Sequence, residues 1–440
     1  MRLMPLVALA SLVVSTTLVA ATPARYIVHF ADAASAHAAG GQSRHARMAR
    51  ADMPRHVRSL AAGGEVFQLA SGNEARFAAF PGVISVEEDR LLVPTAIVDS
   101  LWKRQWYMHD PKVGVDAEVA WKYTRGAGAV VAVLDTGITP HPEFDGQLLP
   151  GYDFISDAAA ARDGDGRDAD PTDMGNWSDP GDCLSPQGKP STWHGTHMAG
   201  LVVARAGNPP GIVGLAPEAK LVPVRVLGRC GGRTSDIADA IVWASGGDVP
   251  GVPRIERRVD VINLSMGATG ACGQALRQAI EQARSRGTVV VTSAGNDRKN
   301  VNTNTPANCP GVVSVAALGR DGGMAPYSNF GQQITLSAPG GNLGERGFDD
   351  ILSTWNTGKR GQERSVFGYR GGTSVASPQV AALVALMRSA DPDIGVDEVA
   401  SQLVDNARPL PGRCPKGCGA GLMDAGATVD AVVEDRGRRP

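Results

Sequence analysis

Residues 129–135 read AVVAVLD, and this stretch decides the fold class. Its run of Ala, Val and Leu indicates a strand that is buried on both faces, as in the middle of a parallel sheet. Similar runs are KLVPVRVLG (220–228), VDVINLS (259–265), TVVVTSAGN (288–296) and VVSVAAL (312–318). Helical stretches such as SDIADAIVWA (235–244) and GQALRQAIEQARSRG (273–287) lie between them. The pattern predicts an α/β fold, a parallel sheet with helices on both faces.

Polar residues stand where three of these strands end. Asp135 ends the first run, Ser265 follows VDVINL, and Asn296 follows TVVVTSAG. Functional groups of a parallel sheet gather beyond the carboxyl ends of its strands. We therefore expect these three side chains to lie near one another.

A carboxylate at the end of a buried strand needs a partner, because burying an unpaired charge costs several kcal/mol. HGTHMAG at 194–200 offers two candidates, His194 and His197. A zinc helix would have the spacing His-Glu-x-x-His. Here the histidines are three apart and the glutamate is missing, so a metal role is the weaker interpretation.

Ser374 lies in GYRGGTSVASPQVAALVALM (368–387), at the predicted start of a buried helix. Free N–H groups and a partial positive charge at a helix N-terminus favour negative charge beside the serine oxygen. Gly371 and Gly372 leave room for a substrate backbone. Pro378 is expected in or close to the first turn, where few helical hydrogen bonds are lost. The alternative is an ordinary helix-capping serine.

Three motifs taken together indicate a function more specifically than any one of them does alone. VAVLDTGI (131–138), HGTHMAG and GGTSVASP (371–378) occur in the order Asp, His, Ser, with SAGN (293–296) between the last two. In this order the chain resembles the subtilases, the subtilisin-like serine peptidases, from about residue 100 to residue 430. The resemblance implies the subtilisin-like fold, with polypeptides as substrates.

The resemblance also implies roles for individual residues. Ser374 would be the nucleophile, His194 the general base, and Asp135 the residue that orients the imidazole. Asn296 would donate its side-chain amide to the oxyanion, together with the N–H of Ser374. His197 would be structural.

Substrate-binding segments are implied in the same way. NLSMG (263–267) and SAGN match the family segments that flank the pocket for the residue before the scissile bond. Met266 stands where the family has an apolar residue, and neither segment carries an acidic residue. A large apolar or broad preference is expected. The residues concerned are Ser265, Met266, Gly267, Ala294 and Gly295.

The N-terminal region differs from the rest of the chain. MRLMPLVALASLVVSTTLVAA (1–21) has the basic start, apolar stretch and small-residue end of a secretory signal, and it is short for a membrane anchor. Residues 22–100, with strand-like and helix-like runs, are interpreted as a pro-segment that ends between 90 and 110; a small α+β domain is the alternative. Residues 101–440 would be the catalytic domain. From the family we expect the pro-segment to assist folding and to inhibit the enzyme.

Six cysteines all lie after residue 180. An even number in an exported chain favours disulfides, and CPKGC (414–418) lacks the spacing of a zinc site. The resemblance and the order along the chain lead us to expect the pairs Cys183–Cys230, Cys272–Cys309 and Cys414–Cys418.

ARDGDGRDADPTDMGNW (161–177) concentrates carboxylates between glycines, a composition suited to Ca²⁺. It is not an EF-hand, because Arg167 takes the fifth position and the glutamate at the twelfth is missing. A structural calcium site is the prediction, and a solvated acidic loop is the alternative. The predicted ligands are Asp163, Asp165, Asp168, Asp170 and Asp173.

Other functional classes fit the sequence less well. DTG (135–137) is also the signature of aspartic peptidases, but these need a second such motif to share a proton, and NTG (356–358) lacks the carboxylate. An esterase of the α/β-hydrolase kind needs G-x-S-x-G, whereas residues 372–376 read GTSVA. A subtilase-like binding protein without activity would have lost catalytic residues, and all four positions are filled. The net charge of −2 gives no basis for nucleic-acid or membrane partners, and we expect a secreted monomer.

Overall fold

The computed structural model describes residues 24–32, 54–61, 63–69, 74–89, 99–184, 186–343 and 347–438. The chain divides into two compact units, residues 1–96 and residues 97–440. The predicted signal (1–21) lies outside the described residues, as do residues 90–98 of the predicted boundary region.

The N-terminal unit is a small antiparallel sheet with one short helix. Its strand order is β2-β3-β1-β4. Apolar side chains on one face form its core, with Phe67 in edge-to-face contact with Phe77 at a centroid distance of 5.1 Å. The elements are β1 (Ala24–Phe30), β2 (Arg55–Ser59), β3 (Glu65–Leu69), helix α1 (Glu74–Ala78) and β4 (Val83–Glu88).

The second unit contains a seven-stranded sheet in which every pair is parallel, in the order β13-β12-β10-β8-β5-β7-β6. Side chains of the strand Val130–Asp135, an inner strand of this sheet, alternate between two apolar cores: Val131 and Val133 face one, and Ala132 and Leu134 face the other. Burial on both faces explains the uninterrupted apolar run in the sequence. The strands are β5 (Val130–Asp135), β6 (Tyr152–Asp153), β7 (Lys220–Arg225), β8 (Val261–Leu264), β10 (Val289–Ser293), β12 (Val313–Leu318) and β13 (Leu336–Pro339).

Two two-stranded ribbons lie outside this sheet. The strands β9 (Ala268–Thr269) and β11 (Asn304–Thr305) pair antiparallel, and so do β14 (Ile351–Asn356) and β15 (Ser365–Arg370). The sequence pattern does not predict the β14–β15 hairpin, nor β6 and β13 of the main sheet. The missed sheet strands have two and four residues, too few to show a strand pattern.

Helices cover both faces of the main sheet, which confirms the predicted fold class. The longest, residues 373–390, is buried along nearly its whole length. Among the residues that the structure describes, no helix has both the length and the hydropathy that membrane crossing requires. The helices are α2 (Trp106–His109), α3 (Ala117–Ala120), α4 (Ala158–Ala161), α5 (His194–Val203), α6 (Thr234–Ala244), α7 (Gln274–Ser285), α8 (Thr373–Ala390), α9 (Val396–Asp405) and α10 (Ala425–Arg438).

All six cysteines form disulfides in the structure, in the same three pairs that the sequence analysis expects. The first two close loops with separations of 47 and 37 residues, and the third spans four. In the chain-entropy model the longer loops stabilise the folded state by about 4 kcal/mol each, roughly twice the effect of the short one.

Candidate active site

His194 and Asp135 form the centre of the site. Asp135 ends β5 and is fully buried, and Nδ1 of His194 lies 2.8 Å and 2.9 Å from its two carboxylate oxygens. Burial lowers the pKa of His194, but the charge and the hydrogen bond of Asp135 raise it by more, so the pKa lies above its ordinary value. This contact leaves Nε2 of His194 as the ring nitrogen available for proton transfer.

Ser374 is the second residue of α8, and a glycine immediately precedes the helix. That glycine, Gly372, has φ of +145°, a conformation that side-chain-bearing residues rarely adopt. Within the described residues, the Ser374 hydroxyl donates to the carbonyl oxygen of Ser265 at 3.3 Å and forms no hydrogen bond with His194. The serine is therefore held at a helix N-terminus, with its hydroxyl bonded to a backbone carbonyl.

Asn296 stands opposite the start of α8. Its side-chain oxygen accepts hydrogen bonds from both the N–H and the hydroxyl of Thr373, each at 2.9 Å. The amide Nδ2 is thereby turned towards the space in front of Gly372. A Cβ atom on Gly372 would lie 3.4 Å from Nδ2 of Asn296 and 3.6 Å from the backbone N of Ser374. The missing side chain thus leaves space beside both of these nitrogen atoms.

Pro378 occupies a different position from the expected one. It is the sixth residue of α8, inside the helix and beyond its first turn. Proline has no N–H to donate to the carbonyl four residues earlier, which is that of Ser374. The hydroxyl of Ser265 donates to this carbonyl instead, at 2.8 Å. Ser265 therefore replaces a missing helical hydrogen bond next to the nucleophile candidate.

Three of the five predicted substrate-binding residues lie around a cleft of about 450 Å³ beside His194. Ser265, Met266 and Gly267 line it, together with apolar side chains of α6 and α7. Ala294 and Gly295 are not among its lining residues. Two asparagine side chains bind the carbonyl of Ala294 at 2.9 Å each, and the N–H of Gly295 donates to Thr373 at 3.0 Å.

Comparisons with known proteins agree with this geometry. A model of the subtilase family matches residues 126–421. The chain belongs to the subtilase family.

Several relatives make the relationship more specific. An extracellular protease of Xanthomonas campestris is 47% identical over 363 residues, 81% of this chain and 61% of the relative. An extracellular basic protease of Dichelobacter nodosus is 40% identical over 401 residues, 87% of this chain and 65% of the relative. The chain thus spans less than two thirds of the length of either. A solved protease structure from Pseudoalteromonas arctica is 46% identical, with a TM-score of 0.76 over 77% of this chain and all of that one.

Asp173 has a different environment in this subtilase from that of a calcium ligand. It is 1% exposed, and the hydroxyl of Thr136 donates to it at 2.6 Å. The same hydroxyl accepts the N–H of Gly195 at 3.0 Å, the residue after His194. Burial raises the pKa of Asp173 to about 6. Asp173 and Thr136 therefore link the end of β5 to the first turn of α5, a connection that no local sequence signal reveals.

Three of the five predicted calcium ligands do come together. Asp163, Asp165 and Asp168 each offer an oxygen, and these oxygens lie within 4.8 Å of one another. In the described part of the chain, Oδ1 of Asp163 is buried without a hydrogen-bond partner, while its Oδ2 pairs with Arg225 at 2.5 Å. Asp170 lies outside this group and accepts hydrogen bonds from Thr172.

A second group of buried oxygens was not predicted. Glu143 is 1% exposed and accepts hydrogen bonds from the Asn208 side chain at 3.1 Å and the Ile212 N–H at 3.2 Å. Burial, with a smaller contribution from the charge of Asp99, raises its pKa to about 7. Oδ1 of Asn208 is buried and has no hydrogen-bond partner among the described residues. A carboxylate and an unpaired amide oxygen are of the ligand type that Ca²⁺ prefers.

His197, the second histidine of its motif, lies in the core. It is fully buried, and its Nε2 lies 3.1 Å from the carbonyl oxygen of Gly368. Burial, with the nearby charge of His194, lowers its pKa to about 3. A ring that stays neutral throughout the physiological range fits the structural role.

Proposed function

We propose that the protein is a serine endopeptidase that hydrolyses peptide bonds through Ser374, His194 and Asp135. The contact between His194 Nδ1 and Asp135, beside a serine at the N-terminus of α8, carries the proposal. Nε2 of His194 takes the proton of Ser374 Oγ as the oxygen attacks the carbonyl carbon. The same nitrogen gives that proton to the leaving amine, and a water molecule then releases the acyl group by the reverse steps.

The oxyanion of the tetrahedral intermediate would lie in the gap in front of Gly372. Asn296 Nδ2 and the Ser374 N–H would donate to it, at the side of Gly372 where a Cβ is absent. Because Ser374 Oγ donates to Ser265 before the reaction, the side chain must rotate towards His194. Such rearrangement is expected, since catalytic hydrogen bonds in free enzymes are commonly loose.

The substrates are polypeptides bound in an extended form. The chain at residues 266–267 reaches the surface and offers an edge for strand addition, and the cleft beside it is lined mainly by apolar groups. This supports an apolar or broad preference for the residues before the scissile bond, bound by Ser265, Met266 and Gly267.

We also infer that the protein is exported and made as a zymogen. Two relatives carry the name extracellular protease, and the N-terminal unit is a separate compact sheet. Residues 1–21 would be the signal and residues 22–100 the pro-segment, which would assist folding and inhibit the mature monomer, residues 101–440.

Structural calcium is part of the proposal. Asp163, Asp165 and Asp168 would hold one ion, and Asp99, Glu143 and the side-chain oxygen of Asn208 could hold another. Bound calcium would supply positive charge that these carboxylates otherwise lack.

Ser374→Ala tests the function directly. We expect casein hydrolysis to fall by about 10⁶-fold in kcat, the loss known for a subtilisin, and the N-terminal segment to remain uncut. Ser389→Ala is the matched control, because Ser389 lies near the far end of the same helix and bonds to Ala127. Retained hydrolysis by purified Ser374→Ala protein would contradict the proposal.

A further inference from the structure

Arg370 lies beside the proposed active site but is not part of the machinery described so far. It is the last residue of β15, four positions before Ser374. Its guanidinium stacks on Trp355 of the paired strand, with Cζ 4.0 Å from the ring centroid. The stacked arginine is thus held in place by an aromatic surface, while much of the residue stays exposed.

The charge of Arg370 is not neutralised by the protein. Within residues 99–184, 186–343 and 347–438, no carboxylate forms an ion pair with it, although other arginines of this unit have such partners. Arg360 pairs with Asp179 at 2.5 Å, and Arg320 pairs with Asp349 at 3.2 Å. Arg370 therefore has its hydrogen-bond donors free for a group that the protein does not supply.

The position of Arg370 relative to His194 indicates which part of a substrate its guanidinium would bind. Its stacking partner Trp355 packs edge-to-face on the ring of His197, with centroids 6.0 Å apart, and His197 lies three residues after His194 in α5. The β14–β15 hairpin packs on α5 through hydrogen bonds from Ser353 and Thr354 to backbone carbonyls of that helix. No residue of the hairpin lines the cleft beside Ser265 and Met266. Arg370 thus lies near the imidazole, away from the cleft that would bind the residues before the scissile bond.

We propose that Arg370 is a specificity residue that binds a carboxylate on the leaving-group side of the substrate, within the first two residues after the scissile bond. This inference rests on the proposed peptidase function, because it requires that a leaving group exists. The leaving group would lie on the side of His194 opposite the cleft. The proton passes from His194 to the leaving amine, so the residues that follow that amine extend towards the hairpin. A planar, pre-positioned guanidinium is suited to bind a carboxylate there.

Paired fluorogenic peptides that differ only by Asp or Asn at the first or second position after the scissile bond provide the test. We expect the wild-type enzyme to prefer Asp at one of these positions by about fivefold in kcat/KM, which corresponds to about 1 kcal/mol. The preference should shrink in 0.5 M salt, because screening weakens exposed charge pairs. Arg370→Gln should remove the preference, Arg370→Glu should reverse it, and Arg370→Lys should retain part of it.

Arg364→Gln is the control for net charge. Arg364 immediately precedes β15, six residues and about 20 Å of extended strand from Arg370, and its removal should leave the Asp preference unchanged. Equal Asp-to-Asn ratios in wild type and Arg370→Gln, with both enzymes active on the Asn peptides, would overturn the inference and leave the peptidase function intact. Absence of hydrolysis of every peptide by the wild-type enzyme would instead contradict the proposed function itself.

Discussion

Thr373 shows how much depends on one side chain next to the proposed nucleophile. Its hydroxyl donates to the oxygen of Asn296 at 2.9 Å and accepts the N–H of Gly295 at 3.0 Å. These contacts fix which end of the Asn296 amide faces the gap in front of Gly372. Thr373 is fully buried and would touch no substrate, so its role is to position the oxyanion donor.

Two substitutions should separate the donor from the residue that positions it. Asn296→Ala removes the amide and should lower kcat by about 100- to 1000-fold, the loss known for a subtilisin, with little change in KM. Thr373→Val keeps the amide but removes one of its two hydrogen bonds, so kcat should fall by less. Asn302→Ala, at an exposed position in the 3-10 turn Val301–Thr303, is the control. If Thr373→Val raised KM and left kcat unchanged, the positioning role would be wrong.

At the scale of elements, the start of α8 depends on a strand that is distant in sequence. Pro378 removes the helical donor for the Ser374 carbonyl, and Ser265 at the end of β8 replaces it. The same serine accepts the hydroxyl of Ser374 through its own carbonyl. The strand and helix are therefore joined at the proposed nucleophile by two hydrogen bonds.

A double-mutant cycle on Ser265 and Pro378 tests this pairing. In an inactive Ser374→Ala background, Ser265→Ala should lower the free energy of unfolding by about 1–3 kcal/mol, because the buried carbonyl loses its donor. Adding Pro378→Ala supplies a helical N–H to that carbonyl and should recover much of the loss. Urea unfolding of the four proteins gives the coupling energy. Strictly additive effects would show that Ser265 does not replace the missing helical bond.

The acidic loop between α4 and α5 provides a second test at this scale. In the same background, millimolar calcium at 100 times its Kd should stabilise the protein by about 2.7 kcal/mol, measured as a rise in Tm. Asp165→Asn combined with Asp168→Asn should remove much of this rise. Asp170→Asn is the matched control, because Asp170 lies outside the group of three. Identical Tm values for wild type in EDTA and in calcium would show that the loop is only a solvated acidic turn.

Across the whole molecule, two buried carboxyl groups act against stability at neutral pH. Burial is the main cause that raises the pKa of Glu143 to about 7 and that of Asp173 to about 6. Each group keeps its proton in the folded chain at pH values where the unfolded chain has lost it. Unfolding then releases protons, so these groups make the folded state less stable as the pH rises from about 4 to about 7.

Glu143→Gln isolates one of these groups, again in the inactive background. In EDTA, the variant should gain stability relative to wild type as the pH rises, by on the order of 3 kcal/mol in total, since glutamine has no proton to lose. In calcium this advantage should shrink or reverse at pH 7, because an ion would compensate the carboxylate. Glu118→Gln, at an exposed position, is the control. Parallel pH profiles for wild type and Glu143→Gln would contradict the raised pKa.

The sequence by itself determined the sheet and the order of the candidate groups. The apolar run at 129–135 requires burial on both faces, and Asp135, Ser265 and Asn296 follow strands whose ends meet at one edge of the sheet. A period or an uninterrupted apolar run is local information, so it can be recognised without knowledge of the fold. The short strands β6 and β13 and the β14–β15 hairpin show too little of such a pattern to be predicted from the sequence.

The tertiary structure alone decided what individual polar residues do. Asp163 and Asp173 belong to the same acidic stretch, yet one joins the group of three carboxylates and the other binds Thr136, 37 positions away. Ser265 meets Ser374 across 109 positions, and Arg370 has no acidic partner in the described residues. The charge, pKa and hydrogen bonds of a polar group depend on the atoms around it, and folding brings most of those atoms from distant parts of the chain.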